Sequence, residues 1–147
     1  MSRTRSRGPR VVVGYDGSEA ARAAVAWAGA RAGRSGKVWI VHCLVPSPAA
    51  PEGGAHGKAV LDALLLEGGD ALLDVDYELE LVEGDAARAL AQSAREHEAD
   101  EIAIGSRGFG KLRAALGSVS HDVLHEADRP VLVIPYNAVR ERAETTA

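Results

Sequence analysis

The chain has one cysteine, three lysines, no long apolar run and no excess of basic charge, and each shortage removes a class of protein. Cys43 is the only cysteine among 147 residues, which excludes a disulfide within the chain and a zinc site built on several thiolates. That usage points to a reducing compartment, and the expected location is cytoplasmic. No apolar run approaches the roughly 18 residues a membrane span needs, and no h-region follows the basic residues of the N-terminus. A membrane partner is not expected. Seventeen basic residues stand against twenty-one acids, a net charge of -4, so the surface as a whole does not favour nucleic acid. Any anion site must be local.

What is present suits one globular domain. Hydrophobic residues make up 46% and charged residues 26%, enough to bury a real core. Residues 1–9, with Arg3, Arg5 and Arg7 and no acid, read as a disordered basic arm, residues 10–135 as the domain, and residues 136–147 as a polar tail. Val11 to Tyr15 is a short apolar run that ends in the turn cluster Asp16-Gly17-Ser18, with Ser18 as the N-cap of a helix over about Glu19 to Arg31. On that helix Ala20, Ala24, Trp27 and Ala28 share a side, and Gly33 closes it. A second apolar strand, Val38 to Val45, leads into a Pro- and Gly-rich stretch from Pro46 to Gly57 that reads as surface loop. Leu61, Leu64, Leu65, Leu72 and Leu73 then form a helical stripe over Lys58 to Asp74, interrupted at Gly68-Gly69.

Val75, Tyr77, Leu79 and Leu81 alternate with Asp76, Glu78 and Glu80, the pattern of a strand with one wet face. Its acids discourage further pairing, which places it at a sheet edge. Asp85 caps a helix carrying Ala87, Leu90, Ala91 and Ala94; Glu101 to Gly105 is a buried strand; Ser118 caps a last helix to about Ala127; Pro130 to Pro135 is a fifth strand. Strand and helix alternate throughout, so the fold class is α/β: a single open five-stranded parallel sheet of order 3-2-1-4-5 with helices on both faces. The order reverses between strands one and four. Ligands of open α/β sheets bind beyond the carboxyl ends of the strands at such a reversal, here after Gly14 and after Gly105.

Residues 105–120 contain Gly105, Gly108, Gly110 and Gly117 and the cations Arg107, Lys111 and Arg113, without one acid. Glycines admit backbone N–H groups to phosphate oxygens, and the helix that opens at Gly117-Ser118 adds unpaired donors. A surface loop with glycine for turns and arginine for solubility is the plainer alternative. Gly105-x4-Gly110-Lys111 mimics a P-loop, but Leu112 stands where Ser or Thr would hold magnesium, and no G-x-G-x-x-G follows the first strand. A Walker-type site is rejected, and a standard dinucleotide fold is disfavoured.

Gly105-x2-Gly108-x8-Gly117-Ser118, with Ile102-Ala103-Ile104 before it and Val119 after it, resembles the ATP-binding signature of the universal stress protein family. Val13 to Ser18, Val41-His42, Glu83-Gly84-Asp85 and Pro130 to Pro135 match the family in the same order, over about Arg10 to Pro135. The resemblance implies an adenine nucleotide alpha hydrolase-like sheet, ATP with or without Mg2+, a stress-response regulatory role and a homodimer through the fifth strand, Val131 to Ile134. By the same resemblance Asp16 contacts the nucleoside, Gly14 and Tyr15 line its pocket, and the backbone of Val41 reads adenine. Ile104, Gly105, Arg107 and Gly108 match the start of the phosphate loop, and Gly117, Ser118 and Val119 its end. Eight residues lie between the last two signature glycines here, where nine is the commoner family spacing. Some family members bind no ATP, so a nucleotide-free interaction protein is the competing reading.

Other candidates read as structural. His121 and His125 lie at i and i+4, but Asp122 replaces a metalloprotease Glu and no third ligand is evident. His42 reads as a satisfied core histidine, Cys43 as a small hydrophobe, and Trp27 and Trp39 as packing residues. A response-regulator receiver shares the sheet order, yet the fifth strand ends in Pro135 where a receiver has Lys. Ser106, Ser118 and Ser120 have no assigned base, so any ATP hydrolysis or autophosphorylation is expected to be weak.

Overall fold

The structure, a computed structural model, describes residues 7–44, 53–106 and 118–135. Five parallel strands, β1 (Arg10–Gly14), β2 (Lys37–Leu44), β3 (Asp76–Glu83), β4 (Glu101–Gly105) and β5 (Val131–Ile134), lie in the order β3-β2-β1-β4-β5, as the residue pattern predicts. Between them run α1 (Glu19–Ala32), α2 (Gly53–Gly68), α3 (Ala86–Glu96) and α4 (Ser118–Glu126). β1 and β4 are covered on both faces, which is why they read as unbroken apolar runs: Val11 to Val13 and Ile102 to Ile104 are at most 3% exposed. β3 pairs with β2 alone and leaves Asp76 and Glu78 in water.

Side-chain alternation divides the core in two. Val11, Val13, Tyr15 and Ile40 meet α1 and α2 on one face, whereas Val12, Trp39, Val41 and Ile104 meet Leu90 of α3 and Val123 of α4 on the other. α1 lies close to the sheet because its buried stripe is nearly all small: Ala20, Ala21, Ala24, Val25 and Ala28. Trp27 is not in that stripe. It falls about a quarter turn from the stripe's centre and is 42% exposed, so its packing role is not met in the core. Trp39, by contrast, is 2% exposed.

Two local expectations need correction. α2 starts at Gly53, so residues 53–57 are helix where a loop was expected; residues 46–52 lie outside the described residues. Gly57 is there for contact: a Cβ would stand 2.6 Å from Leu44 Cδ2 and 2.9 Å from Leu81 Cδ2, so glycine lets α2 approach the sheet. The break at Gly68-Gly69 is present as the end of α2 and a 3₁₀ turn over Gly69–Leu72. The end of the basic arm is also tied down. Gly8 donates to the Ser35 carbonyl at 3.2 Å, Pro9 accepts from Lys37 at 3.0 Å, and Arg7 donates to the Glu98 carbonyl at 3.2 Å. Residues 7–9 therefore extend the β1 end of the domain, because they satisfy backbone groups next to it.

Candidate functional site

The chain leaves β1 for α1 on one face of the sheet and leaves β4 for α4 on the other, which opens a crevice beyond Gly14 and Gly105. Both glycines are required by close approach. A Cβ on Gly14 would stand 2.9 Å from Leu90 Cδ1, and one on Gly105 2.7 Å from Ala20 Cβ and 2.9 Å from the Ala20 carbonyl carbon. The end of β4 thus rests on the first turn of α1. Ser106 donates its N–H to the Ile134 carbonyl at 2.8 Å, and the buried Ser120 hydroxyl donates to the Gly105 carbonyl at 2.8 Å. These bonds hold the entry and exit of the 105–120 loop together. Arg107, Gly108, Lys111, Arg113 and Gly117 lie outside the described residues.

Ser118 and Val119 begin α4 and are both exposed, with Val119 at 45%. Ser118, expected as the cap before this helix, is its first residue. Across the crevice the β1–α1 turn is tightly bonded. The Tyr15 N–H donates to the Val41 carbonyl at 2.9 Å, Asp16 Oδ1 accepts the Ser18 N–H at 2.9 Å, and the Ser18 hydroxyl accepts the Ala21 N–H at 3.2 Å. Gly17 takes φ 86°, a left-handed backbone that glycine adopts without strain. Asp16 is exposed, and among the described residues no group partners its Oδ2.

The Tyr15 and Val41 side chains both face the core, so only their backbones are placed to meet a ligand. The Tyr15 ring is 3% exposed in the core beneath α1 and α2, and its hydroxyl accepts from Arg22 Nε at 3.4 Å. That hydrogen bond, with a further one that Arg22 donates to Glu67, holds the Arg22 guanidinium above its ordinary range. Only the Tyr15 backbone remains at the turn. Val41 is 1% exposed and its carbonyl is engaged by Tyr15; Ile104, at 3%, is packed in the core with Leu90. The residue that reaches the rim of β2 on the Val41 face is Cys43, half-buried and close to Asp85 at the head of α3. Burial, then the Asp85 charge, pushes its thiol up to about 11. Its reading as a small hydrophobe holds, since Cys43 packs against the cluster of Trp39, Val41 and Leu90, and period-two alternation from Val41 places it at the rim.

His121 and His125 are both exposed and meet edge to face with ring centroids 4.7 Å apart. Among the described residues no group of three His, Cys, Asp or Glu side chains is placed to hold a metal ion. No described helix is long and apolar enough to cross a membrane.

Comparison with known proteins agrees with this geometry. Residues 9–135 match the model of the universal stress protein family. A Thermus aquaticus protein, named as a universal stress protein in the QAH/OAS sulfhydrylase 3′ region, is 34% identical over 137 residues, covering 84% of this chain and 96% of its own. A crystal structure of a universal stress protein in complex with cAMP is similar at 30% identity and a TM-score of 0.66, covering 88% of this chain and 98% of that one. The universal stress protein from Archaeoglobus fulgidus in complex with dAMP is similar at 26% identity and a TM-score of 0.65, covering 86% and 97%.

Proposed function

Because the chain belongs to the universal stress protein family, we propose that its crevice binds an adenine nucleotide, ATP with or without Mg2+, as part of a stress-response regulatory role. The carrying observation is the union of Gly105, Ser106 and Ser120 at the sheet reversal, which brings both ends of a glycine-rich, acid-free loop to the mouth of the crevice that the Asp16 turn borders. Asp16 offers a carboxylate oxygen to a sugar hydroxyl, while the first N–H groups of α4 and the loop cations favour phosphate. That similar structures hold cAMP and dAMP supports a seat for adenine joined to phosphate. Magnesium travels with the triphosphate in this reading, with Arg107, Gly108 and Gly117 completing the phosphate contacts.

Binding and not turnover is the proposed activity. Ser120 already donates its hydroxyl to the Gly105 carbonyl, so it acts as a latch and not as a nucleophile. At most weak hydrolysis or autophosphorylation is expected. The domain is residues 10–135 with residues 7–9 bonded to its β1 end, and it works in the cytoplasm as a homodimer through β5, an edge strand whose Leu132 is 39% exposed.

The test is to denature freshly purified protein, chromatograph the supernatant, and titrate nucleotide-free protein with ATP and Mg2+, AMP and cAMP by calorimetry. Adenine nucleotide in the supernatant or saturable heat supports the proposal. No nucleotide and no heat with any of the three overturns it in favour of a nucleotide-free interaction protein.

A further inference from the structure

His42 lies at the carboxyl end of β2 and is half-buried, and its Nδ1 stands 2.7 Å from the Tyr15 carbonyl. A carbonyl only accepts, so Nδ1 carries the proton and donates. The adjoining Tyr15 N–H donates to the Val41 carbonyl at 2.9 Å. Residue 15 is therefore held to β2 through both of its backbone polar groups, once by the sheet and once by a side chain. The next residue is Asp16, whose Oδ1 accepts from Ser18, and the Ser18 carbonyl accepts the Arg22 N–H as α1 starts. The imidazole is itself seated by α2: a Cβ on Gly57 would come 3.2 Å from His42 Cδ2, so any larger residue there would press on the ring.

We propose that His42 is the positioning residue of the nucleoside end of the crevice, its Nδ1–H fixing the Tyr15 carbonyl and so the orientation in which the Asp16–Ser18 turn presents its carboxylate. His42 touches no ligand in this scheme. It sets the direction of the residue that does. The inference goes further than the proposed function and rests on it for the ligand, but the clamp itself exists in the free protein.

The experiment compares His42→Leu, which removes the donor, with His42→Asn, whose side-chain amide nitrogen reaches the place of Nδ1. In ligand-free protein, amide hydrogen exchange at Tyr15 and Ser18 is expected to quicken by roughly tenfold in His42→Leu and to stay near wild type in His42→Asn, the scale of one lost hydrogen bond. AMP affinity is expected to fall by about tenfold in His42→Leu alone, while affinity for inorganic triphosphate, which lacks a nucleoside, stays the same. Unchanged exchange at Tyr15 and Ser18 in His42→Leu overturns the clamp. Equal losses for AMP and triphosphate overturn the nucleoside-end assignment. Absence of AMP binding by the wild type would instead count against the nucleotide reading and leave the exchange result to decide on His42. If His42→Leu does not fold, failure of His42→Asn to keep wild-type exchange overturns the clamp.

Discussion

The two ends of the parallel sheet are built on opposite plans. At the amino end polar groups are matched to partners. Arg10 donates through Nε and Nη2 to the His97 carbonyl at 2.9 and 2.7 Å, and Arg129 donates to the carbonyls of Ala94 and Ala99, each at 2.7 Å. Trp39 stacks on His97 with centroids 4.4 Å apart, lies under the Arg10 guanidinium, and donates its indole N–H to Glu78 at 3.0 Å. The carbonyls that end α3 are thereby satisfied by arginines, the favourable charge for a helix C-terminus. At the carboxyl end the bonds fix the backbone, through side chains such as His42, Asp16 and Ser120 as well as through the main chain, and leave chemistry open: Asp16 Oδ2 has no described partner, and Ser118 and Val119 face outward. One end supplies stability, and the other carries the proposed ligand site.

Substitutions should separate the two ends, and the largest effect belongs to Trp39→Ala. It removes a buried indole with its stacking, cation and hydrogen-bond partners, and is expected to cost about 3–5 kcal/mol in urea unfolding. AMP affinity of the folded fraction should stay within about twofold, because a 1 kcal/mol coupling would already exceed that. A large loss of affinity would show that the ends are coupled and break the contrast.

The next effect concerns Cys43, which is at the open end yet shielded. With its thiol raised from 9.0 to about 11, the thiolate fraction at pH 8 falls by roughly 100-fold against a free cysteine. Alkylation should be slower by a comparable factor, followed by mass spectrometry. The same shift has a sign for folding. The folded state keeps the thiol proton longer than the unfolded chain does, so this contribution is complete below pH 9 and is lost as pH rises toward 11. Cys43→Ser should flatten that alkaline decline; reaction at the rate of a free thiol would mean the β2 rim is open.

Gly17→Ala should have the smallest effect on stability, about 1 kcal/mol from the left-handed backbone. Its effect on AMP binding should be the larger of the two, since the strain falls on the Asp16 turn. Wild-type AMP affinity in a destabilised Gly17→Ala protein would remove that turn from the site.

Much of this was legible from residue order. The alternation of Tyr77, Leu79 and Leu81 with acids put β3 at an edge, and the unbroken apolar runs put β1 and β4 inside, as the pairing shows. The helical start at Gly53 was not legible, because Gly57 reads as a loop residue until Leu44 and Leu81 are seen against it. Trp27 misled because helical spacing identifies a side of α1 but not how wide its buried stripe is. At the site, glycines and Asp16 marked the crevice, whereas the inward Tyr15 ring, the engaged Val41 carbonyl and the rim position of Cys43 depend on which face of a strand each residue takes.

Periodicity and turn chemistry are local properties, and they alone determined the element order, the sheet edges and the place of the reversal. The partners of individual groups were decided by packing. The His42 proton meets the Tyr15 carbonyl because β1 and β2 pair, and Ser120 meets Gly105 because the start of α4 is brought back to the end of β4. A hydrogen bond needs a partner at a set distance and direction, and no spacing along a single chain specifies that until the sheet has closed around it.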